Sequence, residues 1–295
     1  MNAQLNLLTV DLEEWFVVEA LSDRYGSGQW EELSSTLERN CHQLLRLFDR
    51  KGVRATWFIL GWCAERHPDL MRRIAYYGHE VACHSYRHQQ VSRLSAEEFR
   101  ADTLKAIEAI TGATGIRPIG YRAPSWSLND SVPWAFEILA ELGFEYDSSI
   151  FPIKHDLYGM PTGPRSLFRM QFDNGKFLYE MPASTQRIFG QNLPFGGGGY
   201  LRHSPYWYSR WMIRRLNNKG QPVVVYIHPW EIDPDPPQIP DLSPLQRIRM
   251  YGSTGLLESK LDRLLTEFEF TTMVDYIRYA TRNPIGFGRR EQTTE

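Results

Sequence analysis

Residues 54–88 read RATWFILGWCAERHPDLMRRIAYYGHEVACHSYRH. Arg54–Leu60 is β-branched and aromatic, the make-up of a buried strand. Pro68 opens a short helix over His67–Tyr77, because a first-turn residue can spare its N–H. Gly78 ends that helix. His79–Cys83 is a second strand, and it runs directly into His84 and His88. Strand, short helix and strand in this order make a βαβ unit, and repeated units of this kind imply a parallel sheet.

The alternation continues on both sides. Leu5–Asp11 reads as a strand with carboxylates at its tip, and Glu31–Lys51 carries Leu33, Leu37, Leu44, Leu45 and Phe48 at helical spacing. Ser95–Thr111 opens on a capping-box pattern. Arg117–Tyr121 is a short strand, Val132–Leu142 a helix stopped by Gly143, and Phe144–Asp147 another strand. Phe177–Pro182, Val223–His228 and Phe270–Val274 are the remaining strands, and Leu256–Phe268 is an amphipathic helix. Asp11, His84, Arg122, Asp147 and His228 all fall at or just after the C-terminal end of a predicted strand. In a parallel α/β barrel that rim is the active-site face. The expected organisation is a barrel over residues 1–235. Residues 236–295, a Pro-rich loop followed by a helix and strand, are expected to pack on the same domain.

Composition narrows the class. The chain has 295 residues, 33 basic against 35 acidic, and a formal net charge of −2, so no global field recruits nucleic acid. Three cysteines (Cys41, Cys63 and Cys83) are too few and too scattered for a disulfide framework and suit a reducing compartment. The N-terminus lacks the basic and apolar segments of a signal peptide. No run of about 18 apolar residues suggests a transmembrane helix. The expected location is cytoplasmic or membrane-peripheral. A homo-oligomer stays open.

His84 and His88, at i and i+4, with a carboxylate from Asp11-Leu12-Glu13-Glu14, make a three-ligand set for a divalent metal with a position left for water. Two imidazoles and a carboxylate suit several divalent ions. The bland alternative for Glu13 and Glu14 is a helix N-terminus favoured by its dipole. Arg122 is either a surface residue before a turn or a guanidinium forked onto Asp11. Asp147 is either a turn residue or the orienter of a catalytic imidazole. His228 ends the most strand-like segment of the chain and is a candidate general acid. Tyr121, Trp126 and Trp230 flank these residues and are expected to contact substrate. Gly196–Gly199 lacks the Gly-Lys-Ser/Thr ending of a phosphate loop and reads as a mobile loop or a substrate lid. Tyr200–Lys219 mixes aromatics with Lys and Arg, as an amphipathic helix or a membrane-docking surface does. Pro152–Pro164 and Asp233–Pro244 are Pro-rich loops, and Arg289–Glu295 reads as a frayed tail.

The ordered set resembles the polysaccharide deacetylases of carbohydrate esterase family 4. It comprises an acidic first-strand tip, His84-Ser-x-x-His88, Arg122-x-Pro124, Asp147-Ser-Ser and Ile227-His228. The resemblance spans roughly residues 5–232. Thr9-Val-Asp-x-Glu13 and the glycine-rich Pro-Tyr-Trp segment at 196–207 are similar to the subgroup encoded with bacterial exopolysaccharide export systems. The resemblance implies a distorted (β/α) barrel of fewer than eight strands. It also implies a metal-dependent, usually zinc, hydrolase that removes N-acetyl groups from a sugar polymer or a lipid-linked precursor. Carried over by position, His84 and His88 are metal ligands, Asp11 the general base, Arg122 its support, His228 the general acid and Asp147 its tuner. The family motif has adjacent aspartates, whereas Leu12 follows Asp11 here; a one-residue gap implies Glu13 as the third ligand, with Glu14 as fallback. The Trp common after the fourth motif's Asp is replaced by Ser149-Ile150, which alters the groove wall. Rival readings are a small-amide hydrolase, a glycoside hydrolase using Asp11 with Glu13 or Glu14, and a non-catalytic sugar-binding module.

Overall fold

The computed structural model describes residues 4–155, 159–283 and 288–289. Strand β1 (Asn6–Leu12) is buried along its whole length, as a parallel strand covered on both faces must be. After it come α1 (Leu37–Lys51), β2 (Thr56–Ile59), α2 (Gly61–Arg66), α3 (Pro68–Tyr76), β3 (Glu80–Cys83) and α4 (Ala96–Thr114). Then come β4 (Gly120–Tyr121), α5 (Trp134–Glu141) and β5 (Tyr146–Asp147). These five strands pair in parallel in chain order. An antiparallel hairpin, β6 (Phe168–Gln171) and β7 (Phe177–Glu180), joins β5 through β7. A separate hairpin, β8 (Thr185–Ile188) and β9 (Gln191–Pro194), precedes α6 (Gly198–His203) and α7 (Tyr206–Asn217). Strand β10 (Val224–Ile227) then returns to the free side of β1.

The order β10-β1-β2-β3-β4-β5-β7 is a curled sheet of seven parallel strands whose ends do not pair. This is the barrel of fewer than eight strands that the motif order implies. The chain ends with α8 (Pro244–Tyr251), α9 (Thr254–Glu267), β11 (Phe270–Thr271), α10 (Met273–Arg282) and β12 (Gly288–Arg289). Strand β11 pairs with the start of β1, and Leu257, Leu261 and Leu264 of α9 enter the main core.

Strand alternation decides what the barrel holds. Leu8, Val10 and Leu12 face the helices and belong to the main core. Leu7, Thr9 and Asp11 face the interior. Leu7 packs there with Phe58, Ala82, Tyr146 and Val224. The interior is therefore apolar at the N-terminal ends of the strands and polar at the C-terminal rim.

Several sequence expectations change. The helix expected over Glu31–Lys51 starts at Leu37, because Glu14 and Ser35 accept from its first N–H groups; Trp30–Glu32 is a separate 3₁₀ turn. Arg117–Tyr121 shortens to two strand residues. Phe270–Val274 stops at Thr271, since Thr272 accepts a bond from the Asp275 N–H and caps a helix that the sequence reading missed. Tyr200–Lys219 is two helices broken at Pro205. The glycine run packs against its neighbours instead of forming an open loop. Gly196 and Gly197 lie against β10, with Tyr226 N–H donating to Gly196 O, and Gly198 starts α6 against Glu231. A Cβ at any of the three would overlap those neighbours, so close approach demands glycine there. Residues 156–158 of the first Pro-rich loop and 290–295 of the tail lie outside the described residues, while Arg289 sits in β12.

Candidate active site

The site is assembled on the C-terminal rim. Glu13 leaves the end of β1; His84 and His88 sit in the turn after β3. That turn is not helical. Ser85 and His88 have φ of 64° and 54°, left-handed conformations that cost about 1–3 kcal/mol each outside glycine. The surroundings hold them there. Asp102 accepts from the N–H groups of Tyr86 and Arg87, Ser85 Oγ accepts from the His88 N–H, and the Ser85 carbonyl accepts from the Gly61 N–H. The result turns both imidazoles inward.

One ligand atom each from Glu13, His84 and His88 lie within 4.8 Å of one another. Glu13 Oε2 is 2.7 Å from His88 Nε2 and 3.8 Å from His84 Nε2. It is buried and forms no hydrogen bond in that geometry. Burial pushes the Glu13 carboxyl up, but the combined imidazoles of His88, His228 and His84 outweigh it and hold it at about 2. Burial holds His84 down at about 4. Its Nδ1 lies 2.8 Å from the Arg122 carbonyl, which can only accept, so Nδ1 carries the proton and Nε2 presents a lone pair. An ionised carboxylate and neutral, oriented imidazole nitrogen converging on one point fit a divalent cation.

Asp11 flanks this set. It is 3% exposed, and Arg122 Nη1 donates to it at 2.6 Å. Arg122 is itself fully buried. It donates further to Thr9 Oγ1, the Ser148 carbonyl and Ser148 Oγ, and lies over the Phe58 ring at 4.0 Å. Arg122 thus reaches Asp11 through a single Nη1–Oδ1 bond rather than a fork, and its Nε and Nη2 are taken by Ser148.

His228 Nε2 approaches from the end of the neighbouring strand β10, 3.9 Å from Asp11 and 3.7 Å from Glu13. Its other nitrogen, Nδ1, is 3.0 Å from Glu231 Oε2. Burial alone lowers the His228 value; Glu231 chiefly, with Glu13 and Asp11, raises it to about 9. Glu231 also accepts from the His228 N–H and pairs with the buried Arg202 at 3.3 Å. Trp230 stacks on the His228 ring, 25° from parallel.

Three expectations need correction. Asp147 does not reach His228. It is buried against Ser149 and Glu180, and the carboxylate beside His228 Nδ1 is that of Glu231. The signal was present as the carboxylate three residues after the histidine in His228-Pro-Trp-Glu231. Tyr121 is fully buried between Phe99 and Phe144, because strand alternation turns it away from the side Arg122 faces. Glu14 points outward to the start of α1, where Thr36 N–H donates to it at 3.4 Å, so it is no alternative ligand. Trp126 is 7% exposed and packs on Phe151 and Tyr226; with Trp230, it walls the site rather than lining an open surface. A cleft of ≈ 240 Å³ opens beside His88, between Tyr25, Glu19, Gln90 and Arg93.

Residues 28–146 match the Polysaccharide deacetylase family, and residues 148–278 match a Domain of unknown function (DUF3473). The match to the polysaccharide deacetylase family covers residues 28–146, less than half of the chain. The peptidoglycan deacetylase of Helicobacter pylori is 36% identical over 108 residues, 37% of this chain and 36% of that protein. The chitooligosaccharide deacetylase of Rhizobium leguminosarum bv. trifolii is 37% identical over 71 residues, 24% of this chain and 33% of that protein. The chain thus spans about a third of the length of these relatives. Among solved structures, Puue allantoinase superposes with a TM-score of 0.63 at 18% identity, covering 96% of this chain and 93% of that one. A family 4 carbohydrate esterase from Streptomyces lividans gives 0.50 at 15% identity over 92% of both chains. Both share the fold. His84, His88 and Arg122 lie inside the family match; Asp11, Glu13, His228 and Glu231 lie outside it.

Proposed function

We propose that the protein is a metal-dependent hydrolase that removes the acetyl group from an N-acetylated sugar unit of a polysaccharide or its precursor. The observation that carries this reading is the convergence of Glu13, His84 and His88 between Asp11 and His228. When bound at Glu13, His84 and His88, a divalent ion supplies Lewis acidity at the acetamide carbonyl and acidifies the attacking water. Asp11, aimed by Arg122, accepts the water's proton. His228 carries its proton to about pH 9 and donates it to the sugar nitrogen as the C–N bond breaks, a step an amide leaving group requires. Glu13, held at about 2, is unsuited to donate a proton, which argues against a glycosidase using Asp11 and Glu13 as its acid–base pair. The two N-deacetylases among the relatives support sugar-linked acetamide as the substrate. The resemblance at Thr9–Glu13 and 196–207 supports an exopolysaccharide as the polymer.

The test is metal content and acetate release from N-acetylglucosamine oligomers, with and without chelator, beside His84→Ala. Stoichiometric metal and chelator-sensitive release, both lost in His84→Ala, is the expected result. Metal without release from oligomers, but with hydrolysis of a small ureide or amide, replaces the sugar with a small substrate. Full activity without metal overturns the reading.

A further inference from the structure

Residues 181–230 contain no Asp or Glu but six cations, Arg187, Arg202, Arg210, Arg214, Arg215 and Lys219, in a chain whose net charge is −2. This charge asymmetry reaches the surface on α7. Ser209, Met212, Ile213 and Leu216 turn that helix onto the core. The opposite side carries Trp207, Trp211, Arg214 and Arg215, spaced four, seven and eight residues from the first, with Tyr208 beside them and Lys219 in the turn that follows. Of nine tryptophans, Trp207 and Trp211 are the exposed ones, at 67% and 42%. Arg215 lies over the Trp211 ring at 5.4 Å. The Glu267 carboxylate sits on one flank and engages Tyr206, Arg210 and Arg214. Among the described residues, no carboxylate pairs with Arg215 or Lys219.

We propose that this outer face of α7 seats the protein on a bilayer surface rich in anionic phospholipid headgroups. Large aromatics with a polar edge suit the boundary between headgroups and acyl chains, and Arg and Lys beside them suit anionic headgroups. Charge complementarity selects an anionic surface. Ring geometry selects a bilayer over a polysaccharide chain. Trp207 and Tyr208 are 88° apart, and Tyr208 and Trp211 41°, so the rings make no shared flat platform for pyranose faces to stack on. Such a seat places the deacetylase beside substrates made or exported at a membrane.

The experiment uses the full chain with vesicles of phosphatidylcholine alone and of phosphatidylcholine with an equal share of phosphatidylglycerol, followed by cosedimentation and tryptophan emission. The expected result is partition to the anionic vesicles only, a blue shift, and weakening with salt. Arg215→Gln/Lys219→Gln loses roughly fivefold per cation removed, as about 1 kcal/mol for each basic residue near an anionic surface implies. Trp207→Ser/Trp211→Ser loses the blue shift and most of the binding. All four side chains are exposed, so melting temperature and acetate release from soluble oligomers stay at wild-type level, and a folding fault in one double variant leaves the other informative. Absence of wild-type partition at low salt overturns the proposal, as does undiminished binding by both variants. Binding of soluble alginate through Trp207 and Trp211, without vesicle partition, overturns it in favour of a polymer surface.

Discussion

His228 Nδ1 and Glu231 Oε2 are 3.0 Å apart across a single 3₁₀ turn, and the same carboxylate oxygen accepts the His228 backbone N–H. The carboxylate thereby fixes both the ring's tautomer and the entry of the turn, leaving Nε2 to face Asp11 and Glu13. A protonated His228 is worth more here than in water, because Glu231 is buried with it. The sign follows: a raised histidine value means the acid form survives to higher pH. In Glu231→Gln, the alkaline limb of the pH–rate profile moves down from about 9 towards the ordinary value of 6.5. Activity at acidic pH falls less than activity at pH 8. A limb that stays in place in the mutant removes Glu231 from the proton-transfer machinery.

Asp11 and Arg122 separate catalysis from stability. Arg122→Met leaves a carboxylate buried without its partner, an event that costs about 3–5 kcal/mol, and it also strips Thr9 and Ser148 of their donor. Asp11→Asn keeps an acceptor for Arg122 and removes only the base. Its expected loss of rate is about 10²–10⁴-fold, with a far smaller fall in denaturation midpoint than Arg122→Met. Equal loss of stability in the two variants contradicts this division.

Much of the site was legible because strand ends are legible. Asp11, His84, Arg122 and His228 each terminate an apolar run, and a parallel sheet brings such termini to one rim whatever lies between them. Glu13, the carboxylate that meets His84 and His88, followed from the resemblance once Leu12 opened a one-residue gap. What the sequence concealed was direction. Tyr121 and Arg122 are neighbours, yet alternation sends one to the helices and the other to Asp11 in the barrel interior. Asp147 stands at the right rim but spends its oxygens on Ser149 and Glu180, and the carboxylate that serves His228 comes from its own turn. The glycine run misled for a related reason. Glycine signals freedom only where space is open, and β10 and Glu231 fill the space beside Gly196, Gly197 and Gly198. Helix α10 was missed because Phe270 and Thr271 are a strand too short to show where the pattern changes.

The metal set predicts a linkage. A divalent ion that binds the folded chain at one hundred times its dissociation constant adds about 2.7 kcal/mol of stability. Zinc titration is therefore expected to raise the melting temperature of the wild type and leave His84→Ala and Glu13→Gln unmoved. Since Glu13 is held at about 2 and His84 at about 4, neither competes with protons near neutrality. An equal zinc response in His84→Ala places the ion elsewhere.

Asp147 and Glu180 form a buried carboxyl pair beneath Arg122. Burial first, and then the Asp147 charge, pushes Glu180 well above its ordinary value, so the folded protein keeps a proton that the unfolded chain releases. Stability from that proton is complete at pH below the ordinary carboxylate value and is lost as pH rises through the folded one. Glu180→Gln replaces the proton with an amide donor to Asp147 and keeps an acceptor for the Ile150 N–H. Its melting temperature is expected to fall less steeply than that of the wild type as pH rises above the ordinary carboxylate value. Parallel curves for the two proteins show that the pair holds no extra proton.

Gly198 and Gly199 are adjacent in the first turn of α6 and predict opposite outcomes. A Cβ at Gly198 would overlap the Glu231 carboxylate, whereas one at Gly199 meets nothing within 4 Å. Gly199→Ala restricts only the unfolded chain and is expected to stabilise by about 0.4–1 kcal/mol without touching the rate. Gly198→Ala must displace Glu231, which Arg202 holds from its other side, and overpacking of this kind costs about 1–3 kcal/mol. The displaced carboxylate releases His228, so Gly198→Ala reproduces the lowered alkaline limb of Glu231→Gln although it changes no ionisable group. That shared pH signature distinguishes a packed support for His228 from a loose connecting loop. A Gly198→Ala protein with wild-type rate and an unmoved limb contradicts the packing role assigned to the glycine run.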